Sequence, residues 1–302
     1  MIRILASDGI EKSAAQALEK LGCEVVQQFY EPEDLKAQVK EFDALVVRSA
    51  TKVRQPIIDA ALETGKLKIV IRGGVGIDNI DAAYAREKGI EVRNTPNASS
   101  ASVAEIAIGH MFCLARHIHK ANVTMREGKW EKKNYDGIEL AGKTLGLIGM
   151  GRIAKCTAMM AKALGMNVIY TNRSGHHPEN EPFAYVSFDE LIAKSDFISL
   201  HIPHADKPVI SAGEIAKMKD GVYIINTARG GMADEDDLLN ALDSGKVAGA
   251  ALDVFLEEPT KNERLYTHPK ISMTPHTGAQ TAEAQTRIGA EIVSIIQEKF
   301  KI

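Results

Sequence analysis

Residues 145–154 have the sequence Leu-Gly-Leu-Ile-Gly-Met-Gly-Arg-Ile-Ala, and this stretch decides the fold around it. The apolar run before Gly149 predicts a buried strand, and the pattern after Gly151 predicts a helix. In a dinucleotide-binding turn the first glycine allows the tight turn, and the second lets the backbone approach a pyrophosphate. A third small residue, here Ala154, lets helix and strand pack closely. The stretch therefore predicts a Rossmann site, with an unliganded tight turn as the alternative.

Apolar runs and helical patterns alternate along the rest of the chain. Such alternation predicts parallel sheets covered by helices on both faces, in two doubly wound lobes with a cleft. The first lobe has predicted strands at 2–5, 25–26, 44–47, 68–71 and 90–92. The second has predicted strands at 144–148, 167–171, 196–200, 221–225, 247–251 and 270–273. Between them the spacing of Ser102 and Glu105 predicts the start of a buried apolar helix, and a last helix is expected at about 281–298.

Composition excludes several classes of protein. The chain has 302 residues and a net charge of −3, so it lacks the cationic field that nucleic-acid binding requires. No apolar window is long enough to predict a membrane span or a signal peptide. The cysteines have no metal-ligand spacing, so no metal site is expected. Their odd number fits a reduced, cytoplasmic protein with buried thiols: Cys23, Cys113 and Cys156.

The residue that closes the second strand of a Rossmann fold influences which nicotinamide cofactor fits. An acid there bonds the adenosine ribose and repels a 2′-phosphate. Here the strand is followed by Asn172, Arg173 and Ser174. The neutral amide removes that repulsion, while Arg and Ser can pair with a phosphate, so NADP(H) is favoured over NAD(H). The alternative is a solvated loop in which Asn172 still bonds a ribose hydroxyl.

Three polar segments, 226–231, 251–259 and 274–278, follow predicted strands at the edge where open α/β sheets bind ligands. They contain Arg229, Glu258 and His276. Arginine can grip a substrate carboxylate with two hydrogen bonds, and histidine can accept a hydroxyl proton as hydride leaves. A carboxylate behind the histidine fixes its tautomer. Each residue alone has a structural alternative, but together they predict oxidation of a 2-hydroxy acid.

At these residues the chain resembles the D-isomer-specific 2-hydroxyacid dehydrogenase family. Within it the similarity is greatest to the phosphoglycerate dehydrogenase branch, in a short form expected to lack the C-terminal regulatory domain. The similarity rests on Val-Arg-Ser-Ala-Thr-Lys-Val (47–53), Arg-Gly-Gly-Val-Gly-Ile-Asp-Asn-Ile-Asp (72–81), Asn-Thr-Pro-Asn (94–97), Gly-Lys-Trp-Glu (128–131), Gly-Met-Gly-Arg-Ile (149–153), Asn-Thr-Ala-Arg-Gly-Gly (226–231), Gly-Ala-Ala-Leu-Asp-Val-Phe (249–255) and Pro-His (275–276).

The resemblance implies a role for each matching residue. It makes Arg229, Glu258 and His276 the catalytic residues, with His276 the acid/base. It assigns cofactor contacts to Val75, Gly149, Gly151, Arg152, Ile153, Asn172, Arg173, Ser174, Ile202, Pro203, Thr227, Ala228 and Gly278, and it places Asp253 at the nicotinamide amide. It also implies a flavodoxin-like substrate-binding domain, 1–97 with 281–302, and a Rossmann domain, 98–280.

The same resemblance assigns the substrate to Arg48, Ser49, Lys52, Gly74 and Val75. Two cations in this segment suit a phosphorylated substrate. The expected reaction is therefore conversion of D-3-phosphoglycerate to 3-phosphohydroxypyruvate, the entry to serine biosynthesis. An NADPH-dependent hydroxypyruvate or glyoxylate reductase is the alternative, and a cofactor-binding corepressor is a third. A homodimer through the cofactor domain is implied by the family.

Overall fold

A computed structural model describes all 302 residues, and the chain divides into two compact units. The N-terminal unit comprises Met1–Ser99 together with Ala279–Ile302, and the central unit comprises Ser100–Gly278. Binding of substrate by the first and of dinucleotide by the second remains a prediction. Both units are parallel α/β structures, as the alternating sequence pattern predicts.

The N-terminal unit contains five short strands separated by helices. Their bounds are β1 (Arg3–Ala6), α1 (Lys12–Lys20), β2 (Glu24–Gln27), α2 (Pro32–Gln38), β3 (Ala44–Val47), α3 (Gln55–Leu62), β4 (Ile69–Arg72), α4 (Ala82–Glu87) and β5 (Glu91–Asn94). All strands pair in parallel in the order β2-β1-β3-β4-β5. This is the flavodoxin-like order, whose ligand-binding crevice lies at the carboxyl ends of β1 and β3.

The central unit begins with two helices, α5 (Ser100–Ala115) and α6 (Ile118–Arg126). The remaining elements are β6 (Thr144–Ile148), α7 (Arg152–Ala163), β7 (Asn167–Thr171), β8 (Ala184–Tyr185), α8 (Phe188–Lys194), β9 (Phe197–Leu200), α9 (Ala212–Lys217), β10 (Val222–Asn226), α10 (Glu235–Ser244), β11 (Val247–Leu252), α11 (Glu263–Thr267) and β12 (Ile271–Met273). The strand order β12-β11-β10-β9-β6-β7-β8 places the reversal of a Rossmann sheet between β6 and β9.

The last helix, α12 (Ala282–Phe300), returns to the N-terminal unit. Its residues Ile292 and Ile296 are buried in one cluster with Ile4 and Ile71 of the sheet. The opposite face of the same sheet, which includes Leu45, packs in a second cluster. Both faces are therefore covered, and the alternation of apolar side chains between two faces explains why these short strands are apolar throughout.

Several local expectations differ from the structure. Helix α5 begins at Ser100 rather than at Ser102, so the spacing of Ser102 and Glu105 does not mark its start. The helix is also not buried on every side, since Glu105 and Phe112 are exposed. The sequence did not predict α6, α11 or β8, which are short or lack buried residues. No helix has the length and apolar character needed to cross a membrane.

Helix α12 is expected to contribute strongly to the stability of the N-terminal unit. Replacing fully buried Ile296 by Ala should lower the free energy of unfolding by about 2–5 kcal/mol, because it removes buried methyl groups and leaves a cavity. The exposed Ser294→Ala on the same helix should change it by about 0.5 kcal/mol or less. Urea unfolding of both variants measures the difference. Equal effects would contradict docking of α12 on this sheet.

Candidate active site

The three polar segments predicted from the sequence lie at the carboxyl ends of β10, β11 and β12. These strands are parallel neighbours, with Asn226 paired to Leu252 and Leu252 paired to Met273. The segments that follow them therefore leave the sheet at one edge. Arg229, Glu258 and His276 come from these segments and belong to one compact unit.

His276 and Glu258 form a direct pair. The imidazole Nδ1 lies 2.7 Å from Glu258 Oε2, and the two side chains remain 32% and 36% exposed. An ionised carboxylate accepts hydrogen bonds only, so Nδ1 carries the hydrogen and donates it. This fixes the tautomer and leaves Nε2 as the ring nitrogen that can exchange a proton with a bound molecule.

The electrostatic environment keeps Glu258 ionised. Burial raises the pKa of this carboxyl, but the hydrogen bond from His276 and the electrostatic attraction to His276 and Arg229 outweigh it, so the pKa lies below its ordinary value. The backbone N–H of Phe255 also donates to Oε1 at 3.2 Å. A carboxylate held in this way stabilises an imidazolium when His276 takes up a proton.

The loop that carries Arg229 is held by Asn226, a residue that is 2% exposed. Its side-chain nitrogen donates to the Arg229 carbonyl at 2.8 Å, and its side-chain oxygen accepts from the Ala228 N–H at 3.1 Å. The guanidinium Nη1 donates to the Ala228 carbonyl at 2.6 Å. Asn226 therefore fixes the backbone that presents the arginine.

Gly230 lets the Arg229 loop approach the segment that leads to Glu258. A Cβ at this position would lie 1.7 Å from the Phe255 carbonyl oxygen and 2.7 Å from the Leu256 nitrogen. Only glycine fits such a close approach of two backbones. The contact sets the distance between the loops carrying two of the three predicted catalytic residues.

The loop that carries His276 is fastened to the buried Asp253. Its Oδ1 accepts from Thr274 Oγ1 at 2.6 Å and from the Thr277 N–H at 2.8 Å, while Oδ2 accepts from the Gly278 N–H at 2.9 Å. Between these donors His276 has φ +52°, a left-handed conformation that is uncommon outside glycine. The sequence-based contact of Asp253 with a nicotinamide amide remains a prediction.

The glycine-rich turn has the expected strand–turn–helix context, between β6 and α7. Gly149 has φ +91°, and a Cβ there would lie 2.5 Å from the His201 carbonyl oxygen. Gly151 is the N-cap of α7 and has open space around its Cα, and no side chain caps the helix. Arg152 and Ile153 follow in the first helical turn. A backbone cradle and an uncapped helix N-terminus fit the pyrophosphate of a dinucleotide.

The remaining predicted cofactor residues of the central unit lie at the same edge of its sheet. Ile202 and Pro203 follow β9, and Thr227 and Ala228 follow β10. The Thr227 hydroxyl oxygen is buried without a hydrogen-bond partner in the protein. Buried polar groups are normally satisfied, so this orphan also fits a bound cofactor. Burial lowers the pKa of the neighbouring His201 to about 4, which keeps it neutral near pH 7.

Asn172 contacts the glycine-rich turn directly, because its side-chain oxygen accepts from the Met150 N–H at 2.7 Å. Arg173 and Ser174 follow it and are exposed. Ser174 Oγ lies 2.7 Å from His177 Nε2, so this loop carries two further polar groups besides the arginine. This arrangement presents no carboxylate at position 172 to a ribose 2′-phosphate.

The predicted substrate residues belong to the N-terminal unit. Arg48, Ser49 and Lys52 follow β3, while Gly74 and Val75 follow β4. Arg48 is half-buried and donates from Nη2 to Gln280 Oε1 at 2.7 Å. Burial lowers the pKa of Arg48, and the Asp8 carboxylate offsets part of this effect. Ser49 and Lys52 are exposed.

Two residues that the sequence did not single out hold the Arg48 loop in place. Asp8 accepts from the Arg48 N–H at 2.6 Å and from Thr51 Oγ1 at 2.6 Å. Asn79 donates to the carbonyls of both Arg48 and Thr51 at 2.7 Å. Asp8 follows β1, so the flavodoxin-like switch point between β1 and β3 carries both a fixed anion and a cation.

Comparison with known proteins agrees with the geometry and defines the class. Residues 108–278 match the model of the D-isomer-specific 2-hydroxyacid dehydrogenase NAD-binding domain. The chain is therefore an oxidoreductase with a nicotinamide-dinucleotide domain. It belongs to the D-isomer-specific 2-hydroxyacid dehydrogenase family, as the sequence resemblance predicts.

Individual relatives carry different substrate names. The chain is 48% identical to a hydroxypyruvate reductase of Thermotoga maritima, over 99% of each protein. It is 43% identical to a D-3-phosphoglycerate dehydrogenase of Methanocaldococcus jannaschii. That match covers 100% of this chain and only 57% of the length of that enzyme. A solved glyoxylate reductase of Paecilomyes thermophila is 34% identical, covers 99% of this chain and 95% of its own, and superposes with a TM-score of 0.89.

The contact at Gly230 provides a test of the candidate site. Gly230→Ala should lower kcat by about 10-fold or more, because the added methyl group must push the Arg229 loop away from Phe255. Gly213→Ala, in helix α9 with open space around it, should leave kcat unchanged. Steady-state kinetics measure both variants, and a Gly230→Ala enzyme with normal kcat would show that the loop spacing does not matter.

Proposed function

We propose that the chain is an NAD(P)-dependent D-2-hydroxyacid dehydrogenase whose substrate has a three-carbon glycerate skeleton. The His276–Glu258 pair carries this proposal, because a histidine oriented by a carboxylate is suited to move a proton at a reacting hydroxyl or carbonyl oxygen. When bound, the nicotinamide ring supplies or accepts the hydride at C2. The residues of this chain then bind the acid, orient it and move the proton.

In the reducing direction, protonated His276 gives its Nε2 proton to the carbonyl oxygen as that oxygen becomes a hydroxyl. In the oxidising direction the neutral ring takes the proton back. Glu258 keeps Nδ1–H fixed in both directions and stabilises the imidazolium. The planar guanidinium of Arg229 binds the substrate carboxylate and polarises the oxygen that reacts.

For the substrate, hydroxypyruvate reduction to D-glycerate is the first candidate. The hydroxypyruvate reductase relative matches over the full length of both proteins, whereas the phosphoglycerate dehydrogenase match spans little more than half of that enzyme. The second candidate is D-3-phosphoglycerate, which is favoured by Arg48 and Lys52 on one loop of the N-terminal unit. The Asp8 carboxylate beside Arg48 reduces the positive potential available to a doubly charged phosphate. This reverses the order of the two candidates expected from the sequence.

For the cofactor, NADP(H) is proposed over NAD(H). Asn172 carries no charge that would repel a 2′-phosphate, and Arg173 can pair with one. Ser174, the next residue, and His177, which lies 2.7 Å from the Ser174 hydroxyl, add hydrogen-bonding groups to this loop. The 2′-phosphate would therefore meet an arginine and two polar side chains instead of the acid that selects NAD(H).

The assembly proposed for the enzyme is a homodimer formed through the central unit. Exposed apolar side chains occur along α5, α6 and the segment after them, including Phe112, Val123, Met125 and Trp130, which is 80% exposed. Exposed apolar side chains on neighbouring segments of one unit favour association with a second copy. The cytoplasm is the proposed location, because the three cysteines are unpaired and a reducing compartment keeps thiols in that state.

The catalytic role of His276 is tested by His276→Ala. Turnover should fall about 10²–10⁴-fold while cofactor binding persists, because the acid/base is lost and the glycine-rich turn is untouched. Steady-state rates with hydroxypyruvate, 3-phosphohydroxypyruvate and glyoxylate, each with NADH and NADPH, measure substrate and cofactor preference in one experiment. Normal turnover by His276→Ala, or no turnover of any 2-keto acid by the unmodified protein, would refute the proposal.

Arg48→Ala separates the two substrate candidates. If Arg48 contacts a phosphate, KM for 3-phosphohydroxypyruvate should rise about 10-fold more than KM for hydroxypyruvate, a difference of about 1.4 kcal/mol. Arg54→Ala, which removes a nearby exposed arginine paired with Asp81, should leave both KM values unchanged. Equal increases for both substrates would rule out the phosphate contact and leave the unphosphorylated acid.

A further inference from the structure

A buried chain of polar side chains runs from helix α5 to the loop that carries His276. His110, on α5, is only 4% exposed. Its Nδ1 lies 2.9 Å from Ser272 Oγ, and its Nε2 lies 3.0 Å from Thr274 Oγ1. Thr274 Oγ1 in turn lies 2.6 Å from Asp253 Oδ1. The family resemblance assigned no role to His110, Ser272 or Thr274.

The carboxylate at one end sets the direction of every hydrogen bond in this chain. The Asp253 carboxylate can only accept hydrogen bonds, so the Thr274 hydroxyl donates its hydrogen to Oδ1. The Thr274 oxygen must then accept from His110, which places a hydrogen on Nε2. Burial lowers the pKa of His110, so the ring is neutral and Nδ1 accepts from the Ser272 hydroxyl. One tautomer satisfies all three side chains.

These hydrogen-bonded side chains end at Asp253, the carboxylate that fixes the backbone of the His276 loop. Asp253 receives Thr274 Oγ1, Thr277 N–H and Gly278 N–H, which lie on both sides of His276. The left-handed conformation of His276, at φ +52°, persists only if its surroundings hold it. His110 orients the Thr274 hydroxyl, and through it the first of these three bonds.

We infer that His110 is a positioning residue: through Thr274 and Asp253 it holds the His276 loop so that the imidazole meets Glu258 and the reacting oxygen. This inference rests on the proposed role of His276 as the acid/base. An apolar residue at position 110 would leave the half-buried Thr274 oxygen without its donor and the buried Ser272 hydroxyl without its acceptor. The Thr274 oxygen would then be held only by its bond to Asp253, so the side chain that links α5 to the His276 loop would lose one of its two anchors.

Two variants at position 110 test the hydrogen bond itself. His110→Leu should lower kcat by about 10- to 100-fold with little change in the dissociation constant for the cofactor, because a displaced acid/base slows the reacting step. His110→Gln should restore most of kcat, since its amide N–H can replace Nε2–H. His268→Gln is the matched control. His268 is also largely buried in the central unit; it pairs with Asp243 and accepts from the Lys270 N–H, but makes no hydrogen bond to Ser272, Thr274 or Asp253.

The decisive measurement repeats His110→Leu in a His276→Ala background. If His110 acts through His276, the second substitution should lower the residual single-turnover rate by less than about 2-fold, because there is no acid/base left to position. If His110 only supports the fold, its loss should lower the rate by the same factor in both backgrounds. That result would overturn the inference.

Two further variants cover the case in which His110→Leu does not fold. Thr274→Val removes the donor to Asp253 at nearly constant volume and should reduce kcat as His110→Leu does, whereas Thr274→Ser should restore it. Normal kcat in Thr274→Val would also overturn the inference. Failure of the proposed function looks different, because His276→Ala would then retain normal turnover whatever residue stands at position 110.

Discussion

The site depends on one buried carboxylate, that of Asp253. A buried ionised group is costly unless every acceptor position finds a donor, and here the loop after β12 supplies them from two backbone N–H groups and a hydroxyl. These three bonds bracket His276 and fix the path of the loop. The position of His276 is therefore set by the Asp253 carboxylate, which holds the backbone, as well as by Glu258, which holds the ring.

The two interactions act on different parts of the histidine. Asp253 fixes the backbone on either side of His276, and Glu258 fixes the rotation of the ring. Glu258 comes from the segment after β11, which also carries Asp253, so both constraints share one rigid origin. Gly230 then ties the Arg229 loop to that same segment. The loops after β10 and β12 therefore both contact the segment between Asp253 and Glu258, and this segment holds the loops that carry Arg229 and His276 in place.

Sequence patterns predicted most of the strands and the placement of the three polar loops, because these depend on local periodicity and on parallel strand pairing. Apolar runs of β-forming residues gave correct strands, and parallel pairing brings the ends of β10, β11 and β12 to one edge, as expected. Asp8 and His110 were missed, and Asn226 was noted only as part of the 226–231 segment, because nothing local distinguishes a polar residue that holds a loop from one that faces water. Helix α6 was missed because its apolar residues are not buried, so they do not give a core-facing pattern. The family resemblance named the contacts of a cofactor, but not the side chains that hold the protein's own loops.

In the N-terminal unit, too, buried or half-buried polar side chains hold the loop that carries a predicted site residue, Arg48. Asp8 and Asn79 bond the backbone of the Arg48 loop, so the guanidinium is presented by a fixed loop, as Arg229 is by Asn226. The difference is that Asp8 places a negative charge beside the cation that it positions. Any anion that approaches Arg48 therefore meets Asp8 as well, and a phosphate with about two negative charges is repelled more strongly than a group with one charge or none. The loop that gives Arg48 its geometry thus disfavours the more highly charged of the two substrate candidates.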